Sequence, residues 1–424
     1  MVSQPDQCLT LIGRETTVVD EVRAVLFGLE GFEILDAVET SGGELVVRVE
    51  TIDPVLGCPA CGTRAGRSRG RPWVRLRDVS SAGRRVQVWW RKRRHECPDS
   101  DCDRRSFTEQ HPAVGARRRS TLRCRVWIAG QVGPQGRAVT AVTGEVGVSW
   151  PTGMRAVHEA ADLLMITTRS RPTRHLGVDE TAFRRRHRWV TNIADLESAA
   201  ELDVFEGRSA ASLGAWLSDQ PAWWRDAVEV VAMDACAPFR AAVRDWLPNA
   251  TIVLDKFHAL RLFHQTVDEI RRRTAWRIHQ RRGRKIDHVW RARHLLLKAH
   301  ERLTPSQQER LFSALGGPED PDGEIGYAYL AKEEARACWA APSIGRWGNL
   351  LALLADSGIA ELVRLGHTLD RWHDPIIASF KLGITNACTE GLNRKVKHVK
   401  RIGCGFRNPD NYRTRVLMHC PGRP

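Results

Sequence analysis

Hydrophobic and polar positions change period several times along the chain, and each change predicts a different kind of element. Alternation in GELVVRVET (43–51) predicts a strand leading into GCPACG, and RRVQVWWRKRR (84–94) is a second β-type run inside an Arg-rich stretch, 57–112. Beyond Arg117, Arg118 and Arg119 the period lengthens, and residues 120–165 read as helical. There QGRAVTAVTGEVGVSWPTGMRAVHEAA (135–161) sets two helices about a short turn at 147–149. Ala138, Val139, Val142 and Val146 form its apolar face, and Ser149 is the N-cap of the second helix.

From 175 the pattern is β again. HLGVDETAF (175–183), HRWVTNIADLE (187–197) and AELDVFEGR (200–208) predict three short strands. A helix (209–220), a buried strand VEVVAMDA (228–235), a second helix (237–248) and a last strand ATIVLDKFH (250–258) follow. This β-β-β-α-β-α-β order predicts a ribonuclease-H-like mixed sheet, three meandering strands and then parallel crossovers. From 258 to 375 the sequence is helix-periodic, with GGPEDPDGE (316–324) its clearest loop, and helix returns at 388–400. The expected fold is therefore multidomain α/β. It divides into an acidic segment (1–56), a cysteine-bearing ribbon (57–112), a helix pair (113–168), a first part of the core (169–257), a helical insertion (258–375) and a C-terminal part of the core (376–424).

Charge changes this picture by adding a partner. The net charge is +15, and it is segregated: residues 1–56 hold 11 acids against 3 bases, whereas 57–130 hold 19 bases against 6 acids. A second basic block, 256–300, has 13 bases against 3 acids. Blocks of this kind point to nucleic acid. No apolar run is long enough to span a bilayer, and MVSQPDQCLTLIGRE lacks the basic start and apolar block of a secretory signal, so a cytoplasmic protein with no membrane partner is expected.

Of the 11 cysteines, four are grouped as Cys58-x2-Cys61 and Cys97-x4-Cys102. Two knuckles with turn residues Pro59, Gly62 and Pro98 suit the closed tetrahedral site of structural Zn²⁺. His95 is a possible substitute ligand, read here as a surface residue. Such a ribbon would present Arg91, Lys92, Arg93 and Arg94 to phosphates. Beside it the helix pair resembles a helix-turn-helix, with Arg155 as a groove or phosphate candidate. Asp179 and Asp234 follow apolar runs that would be neighbouring strands. Two acids side by side repel unless a cation lies between them, which suits Mg²⁺ or Mn²⁺. Asp255 and His258, as Asp-x-x-His, are either a pair at the edge of that site or an N-cap followed by a first-turn histidine.

These stretches, with CPDSDCDRRSFTEQ (97–110), LGVDETAFRRRHRWVT (176–191), MDACAPFR (233–240), DKFHALRL (255–262) and TEGLNRKVKHVKRIGCGFRNPDNYRTR (389–415), resemble the insertion-sequence transposases of the ISL-three group over effectively the full length. The resemblance implies a bacterial DDE enzyme with a ribonuclease-H-like core, whose metal-binding triad would be Asp179, Asp234 and Glu390. It implies binding to terminal inverted repeats, metal-assisted strand cleavage, transfer of the freed 3′-hydroxyl to target DNA, and a homo-oligomer on DNA in the nucleoid. Arg394, Lys397, Lys400 and Arg401, C-terminal to Glu390, would hold the strand. Where the family commonly has Ser/Thr-Asn-Gly before the catalytic glutamate, this chain has Thr385-Asn386-Ala387-Cys388, which predicts a more restricted turn. The alternative functions are a copy that binds DNA without cutting it and a nuclease or resolvase that hydrolyses without joining.

Overall fold

The computed structural model describes residues 28–52, 57–169, 171–184 and 187–423, so the acidic residues 1–27 lie outside the described residues. The chain divides into two compact units, one of residues 1–167 with 398–419 and one of residues 168–397 with 420–424. Among the described residues no helix is long and apolar enough to cross a membrane.

In the first unit, β1 (Phe32–Glu39), β2 (Leu45–Thr51), β3 (Trp73–Ser81) and β4 (Arg84–Arg91) form one sheet in the order β1-β2-β4-β3. β2 and β4 pair in parallel and the outer pairs are antiparallel. The expected boundary at 56/57 therefore does not separate two domains. The alternating residues Val47 and Val49 need the same buried face as Val86, Val88 and Trp90, and a shared sheet supplies it. β5 (Arg94–Glu96) and β6 (Ser106–Thr108) make a small hairpin beside the cysteines. α1 (Leu122–Val132) starts at Thr121, whose hydroxyl accepts the Cys124 N–H at 3.2 Å and donates to buried Asp78 at 2.5 Å. α2 (Val139–Val146) ends at Gly147, which takes φ 75° and so turns the chain into α3 (Trp150–Arg169). Val139, Val142 and Val146 are buried against Ile128, Val132, Met154 and Val157, as their spacing requires. The C-terminal helix, Pro409–His419, joins this core through Met418, and Asn411 Oδ1 lies 2.8 Å from His158 Nε2. Residues 398–419 thus belong with the helix pair and not with the sheet of the second unit, a division of 376–424 that local periodicity does not carry.

The second unit is built on β7 (His175–Arg184), β8 (Arg188–Asp195), β9 (Ala200–Glu206), β10 (Val230–Met233) and β11 (Thr251–Leu254), in the order β11-β10-β7-β8-β9. β7, β8 and β9 meander antiparallel, and β10 and β11 run parallel to β7. One face carries Leu176, Val178, Ile193, Val231 and Met233 and packs on α4 (Ala210–Ser218) and α6 (Ala237–Trp246), with the short α5 (Ala222–Asp226) between them. The chain then leaves the sheet through α7 (Lys256–His279), α8 (His288–Leu297), α9 (Pro305–Leu315), α10 (Glu324–Ala340), α11 (Ile344–Ala355), α12 (Ala360–Arg371) and α13 (His373–Leu382). Their core includes Phe263, Ile270, Tyr329, Trp347 and Leu369. It returns as α14 (Ala387–Ile402), which packs Leu392 on Ala194 of the opposite sheet face.

Glu201 on β9 is 3% exposed, and neither carboxylate oxygen has a hydrogen-bond partner among the described residues. Burial pushes its carboxyl well above the usual range, and the charges of Asp203 and Asp179 add to this. Below the ordinary carboxylate pKa both folded and unfolded chains carry the proton. Above it the unfolded chain loses the proton and the folded chain keeps it, so stability falls as pH rises. Glu201→Gln is expected to melt closer to wild type at pH 4 than at pH 8, where the variant is the more stable. Parallel melting curves across that range would refute it.

Candidate active site

Register on the sheet brings the first two acids together. Met233, the last residue of β10, pairs with Val178 of β7, so the next residues in each strand are Asp234 and Asp179. Asp179 is 7% exposed and lies within β7, not at its end, because β10 is the shorter strand and stops beside it. Burial and then the charge of Asp234 raise its carboxyl to about 6. Its Oδ1 accepts the Glu180 N–H at 2.6 Å, and its Oδ2 accepts from the Asn393 side-chain amide of α14. Asn393 Oδ1 in turn accepts from Thr181 Oγ1 at 3.0 Å and from Asn192 Nδ2 at 2.8 Å. Asn393 is therefore the clamp that joins α14 to β7 and β8, a role that sequence reasoning missed. Its signal was available as Glu390-x-x-Asn393, two polar residues one turn apart on a helix face.

Helical rotation orients the rest of α14. Thr389 and Asn393 lie over β7, while Cys388 and Leu392 lean toward Ala194 of β8. A step of about 100° per residue turns Glu390 away from the flank of Cys388 and Leu392. Glu390 is half-buried and makes no ion pair, with Arg394 or any other base, among the described residues. The approach is close because residue 177 is glycine: a Cβ there would lie 2.3 Å from Thr389 Oγ1 and 3.0 Å from Asn386 Oδ1. Ala387 is the first helical residue and has no positive φ, which falls instead on Gly383 at 66°. An alanine therefore meets no backbone obstacle where a glycine was expected.

Asp255 and His258 stand at the start of α7. Asp255 is fully buried as the N-cap of α7, where its Oδ2 accepts the His258 N–H at 3.3 Å. The ring Nδ1 of His258 lies 3.0 Å from that same oxygen and 2.5 Å from Asp234 Oδ1. Only the Asp255 contact is aligned as a hydrogen bond, so the Asp234 contact is an attraction between charges. Burial works to lower the imidazole, but the two carboxylates outweigh it and raise His258 to about 9. Asp234, Asp255 and His258 present ligand atoms within 4.8 Å of one another, a set that Asp179 and Glu390 do not enter. The carboxylates are hard oxygen donors that suit a divalent ion, whereas His258, while protonated, is a counter-charge and not a ligand.

The cysteines converge as expected. Cys58, Cys61, Cys97 and Cys102 have all four sulfurs within 4.8 Å of one another, with Cys58 and Cys102 at 3.9 Å and Cys61 and Cys97 at 3.5 Å. Tetrahedral bonds of the usual Zn–S length give sulfur–sulfur edges of about 3.8 Å, so the residues fit zinc. Backbone N–H groups of Cys61 and Ala60 lower the Cys58 thiol to about 6, while burial pushes Cys97 up to about 12. His95 stands outside this set and is not a surface residue: it is half-buried, its ring 6.0 Å from that of Phe107. Cys58→Ser is expected to lower bound zinc from one equivalent to well below it, measured by metal analysis; unchanged stoichiometry would remove the assignment.

The basic candidates divide. Arg91 and Arg93 are held by Glu50, and Arg93 also by buried Glu109; Lys92 lies 4.2 Å from the Trp90 ring centre. Long-range acids thus neutralise part of the run expected to face phosphates, leaving exposed Arg94, which bonds Ser106 Oγ at 3.1 Å. Arg118 pairs with Glu159, whereas Arg117, Arg119 and Arg155 are exposed. On α14, Arg394, Lys397 and Arg401 are exposed and Lys400 is half-buried.

Comparison with known proteins places the chain in a family. A zinc-finger model of the transposases IS204/IS1001/IS1096/IS1165 matches residues 54–102. The chain is 24% identical over 405 residues to the transposase for insertion sequence element IS1001 of Bordetella parapertussis, covering 92% of this chain and 95% of that one. It is 26% identical over 298 residues to the transposase for IS1557 of Mycobacterium tuberculosis, covering 64% and 65%. The ISL3-type DDE family model, described as a transposase, matches residues 176–416, and with over half of its length matched the chain belongs to that transposase family.

Proposed function

We propose that the chain binds the terminal inverted repeats of an insertion sequence and catalyses metal-dependent strand cleavage and strand transfer with Asp179, Asp234 and Glu390 as its triad. The observation that carries this reading is the juxtaposition of Asp179 and Asp234 on adjacent strands, with Asn393 tying to Asp179 the helix that bears Glu390. The sheet order, three antiparallel strands and two parallel ones, supports a ribonuclease-H-like core interrupted by the helical insertion 258–375. The pair α2 and α3, joined at Gly147 and carrying exposed Arg155, supports a helix-turn-helix that contacts the repeats beside the zinc ribbon.

Asp179, Asp234 and Glu390 would hold the divalent ion, and Asn393 keeps the Asp179 carboxylate in one orientation. Mg²⁺ or Mn²⁺, when bound, supplies Lewis-acid activation of the attacking oxygen and stabilisation of the leaving oxygen. His258 balances the charge of Asp234 on the side of α7. Arg394, Lys397, Lys400 and Arg401 grip phosphates of the strand without reading bases. The protein acts in the bacterial cytoplasm on nucleoid DNA, as a homo-oligomer that pairs the two element ends.

The test is cleavage of duplexes bearing the inverted repeats that flank the gene. With Mg²⁺ or Mn²⁺, cuts at the repeat ends and joined products are expected, and neither with chelator. Binding without metal-dependent cutting would sink the catalytic reading. Nicked products that are never joined would assign a nuclease instead.

A further inference from the structure

Arg415, on the C-terminal helix Pro409–His419, is a buried cation without a counter-charge. It is 3% exposed, and no carboxylate among the described residues pairs with it. Its Nη2 donates to the Arg137 carbonyl at 3.0 Å, its guanidinium lies 5.7 Å from the Phe406 ring centre, and its Nε has no hydrogen-bond partner. Burial alone lowers its pKa, with no acid offsetting the loss of water. A buried charge of this kind is costly unless something pairs with it.

Arg415 borders a cavity of about 360 Å³ within the first unit, lined also by Thr140, Trp150, Arg407, Asn408 and Asn411. Its polar lining is biased toward donors. Asn408 Oδ1 accepts the N–H groups of Asp410 and Asn411, and Asn411 Oδ1 is taken by His158, so their carbonyl oxygens are used within the protein. Arg407 is exposed and makes no ion pair among the described residues. Among the described residues no acid lines the space. A site with two guanidinium groups, uncommitted amide donors and no acid recognises a tetrahedral oxyanion.

We infer that this cavity is a phosphate subsite, and that it takes one backbone phosphate of the DNA bound by the helix pair. The second half of that statement rests on the proposed DNA-binding role; the first does not. The cavity opens beside Thr140 of α2 and Trp150 of α3, the latter 43% exposed, so a bound phosphate would lie on the same helices as Arg155.

Two measurements on the zinc-loaded full chain test this. In thermal melts, inorganic phosphate is expected to raise Tm saturably above a chloride control of equal ionic strength. Arg415→Met should melt no lower than wild type without phosphate, since it removes an unpaired buried charge, and should lose the phosphate response. Arg407→Gln, an exposed change that leaves the fold alone, should weaken the response at least threefold in phosphate concentration, and it carries the test should the Met variant fail to fold. A wild-type Tm indifferent to phosphate, or a response that both variants keep, would overturn the subsite. In duplex binding, each variant should make the slope of log affinity against log salt shallower by up to about 0.9, the share of one phosphate contact. Loss of the phosphate response with an unchanged slope would overturn the DNA assignment. Neither measurement requires cleavage, so their outcome is separable from that of the transposition assay.

Discussion

Asp179→Asn, Asp234→Asn and Glu390→Gln should each reduce strand cleavage by about 10³-fold or more while changing affinity for repeat-end duplexes by less than about threefold. Outer partners of metal ligands typically account for 10–100-fold, and a ligand itself should exceed that. The separation of binding from cutting follows from the architecture. Asp179 and Asp234 are on the sheet of the second unit, whereas the cysteine cluster and the helix pair belong to the first. Each amide is nearly isosteric with the acid it replaces, so the fold should persist; at residue 179 one of the two accepted hydrogen bonds is lost, because an amide nitrogen donates where the carboxylate accepted from the Glu180 N–H or the Asn393 amide. Band-shift and cleavage assays on one labelled substrate measure both quantities. A Glu390→Gln protein that cuts normally would remove Glu390 from the triad, and one that also loses binding would show that its role is structural.

Gly177→Ala is expected to be nearly as damaging to cleavage, although no chemistry touches residue 177. The added methyl group would meet Thr389 Oγ1 at 2.3 Å and Leu196 Cδ2 at 2.7 Å, distances that force α14 away from β7. A displacement near 1 Å can cost about 10²-fold in rate, and overpacking of this kind costs about 1–3 kcal/mol in stability. Asn393 would lose its alignment on Asp179, and Glu390 would move with the same helix. Gly391→Ala is the control: it lies on the same helix, and nothing stands within 4 Å of its missing Cβ. That variant should cut at wild-type rate. Equal activity in both variants would show that the seating of α14 does not govern the reaction.

Much of this site was legible in the sequence because its information is local. Two apolar runs that end in aspartates, and two pairs of closely spaced cysteines, carry their geometry in a few adjacent residues. What was not legible depends on partners far away in the chain. The pairing of β2 with β4 places Glu50 where it can hold Arg91 and Arg93, and nothing in 84–94 signals that these cations are already engaged. Residues 398–419 read as a continuation of a helical core segment, yet Met418 and Asn411 find their neighbours on helices more than 250 positions earlier. Asn393 and Gly177 were both in plain view within recognised motifs. Their roles emerge only when α14 is laid on β7, since one supplies a hydrogen bond and the other an absence of volume.

Asp255 has a consequence for how such a chain can vary. While one of its oxygens holds the start of α7, the other accepts the backbone N–H of Asn386 at 3.3 Å, from a residue 131 positions later. The whole helical excursion therefore begins and ends at a single carboxylate. The entropy of closing a loop grows only with the logarithm of its length, so each doubling adds about 0.6 kcal/mol. Segments could be gained or lost in the middle of the excursion, at the turn 316–323 for example, with little change in the cost of bringing its two ends back to the same oxygens.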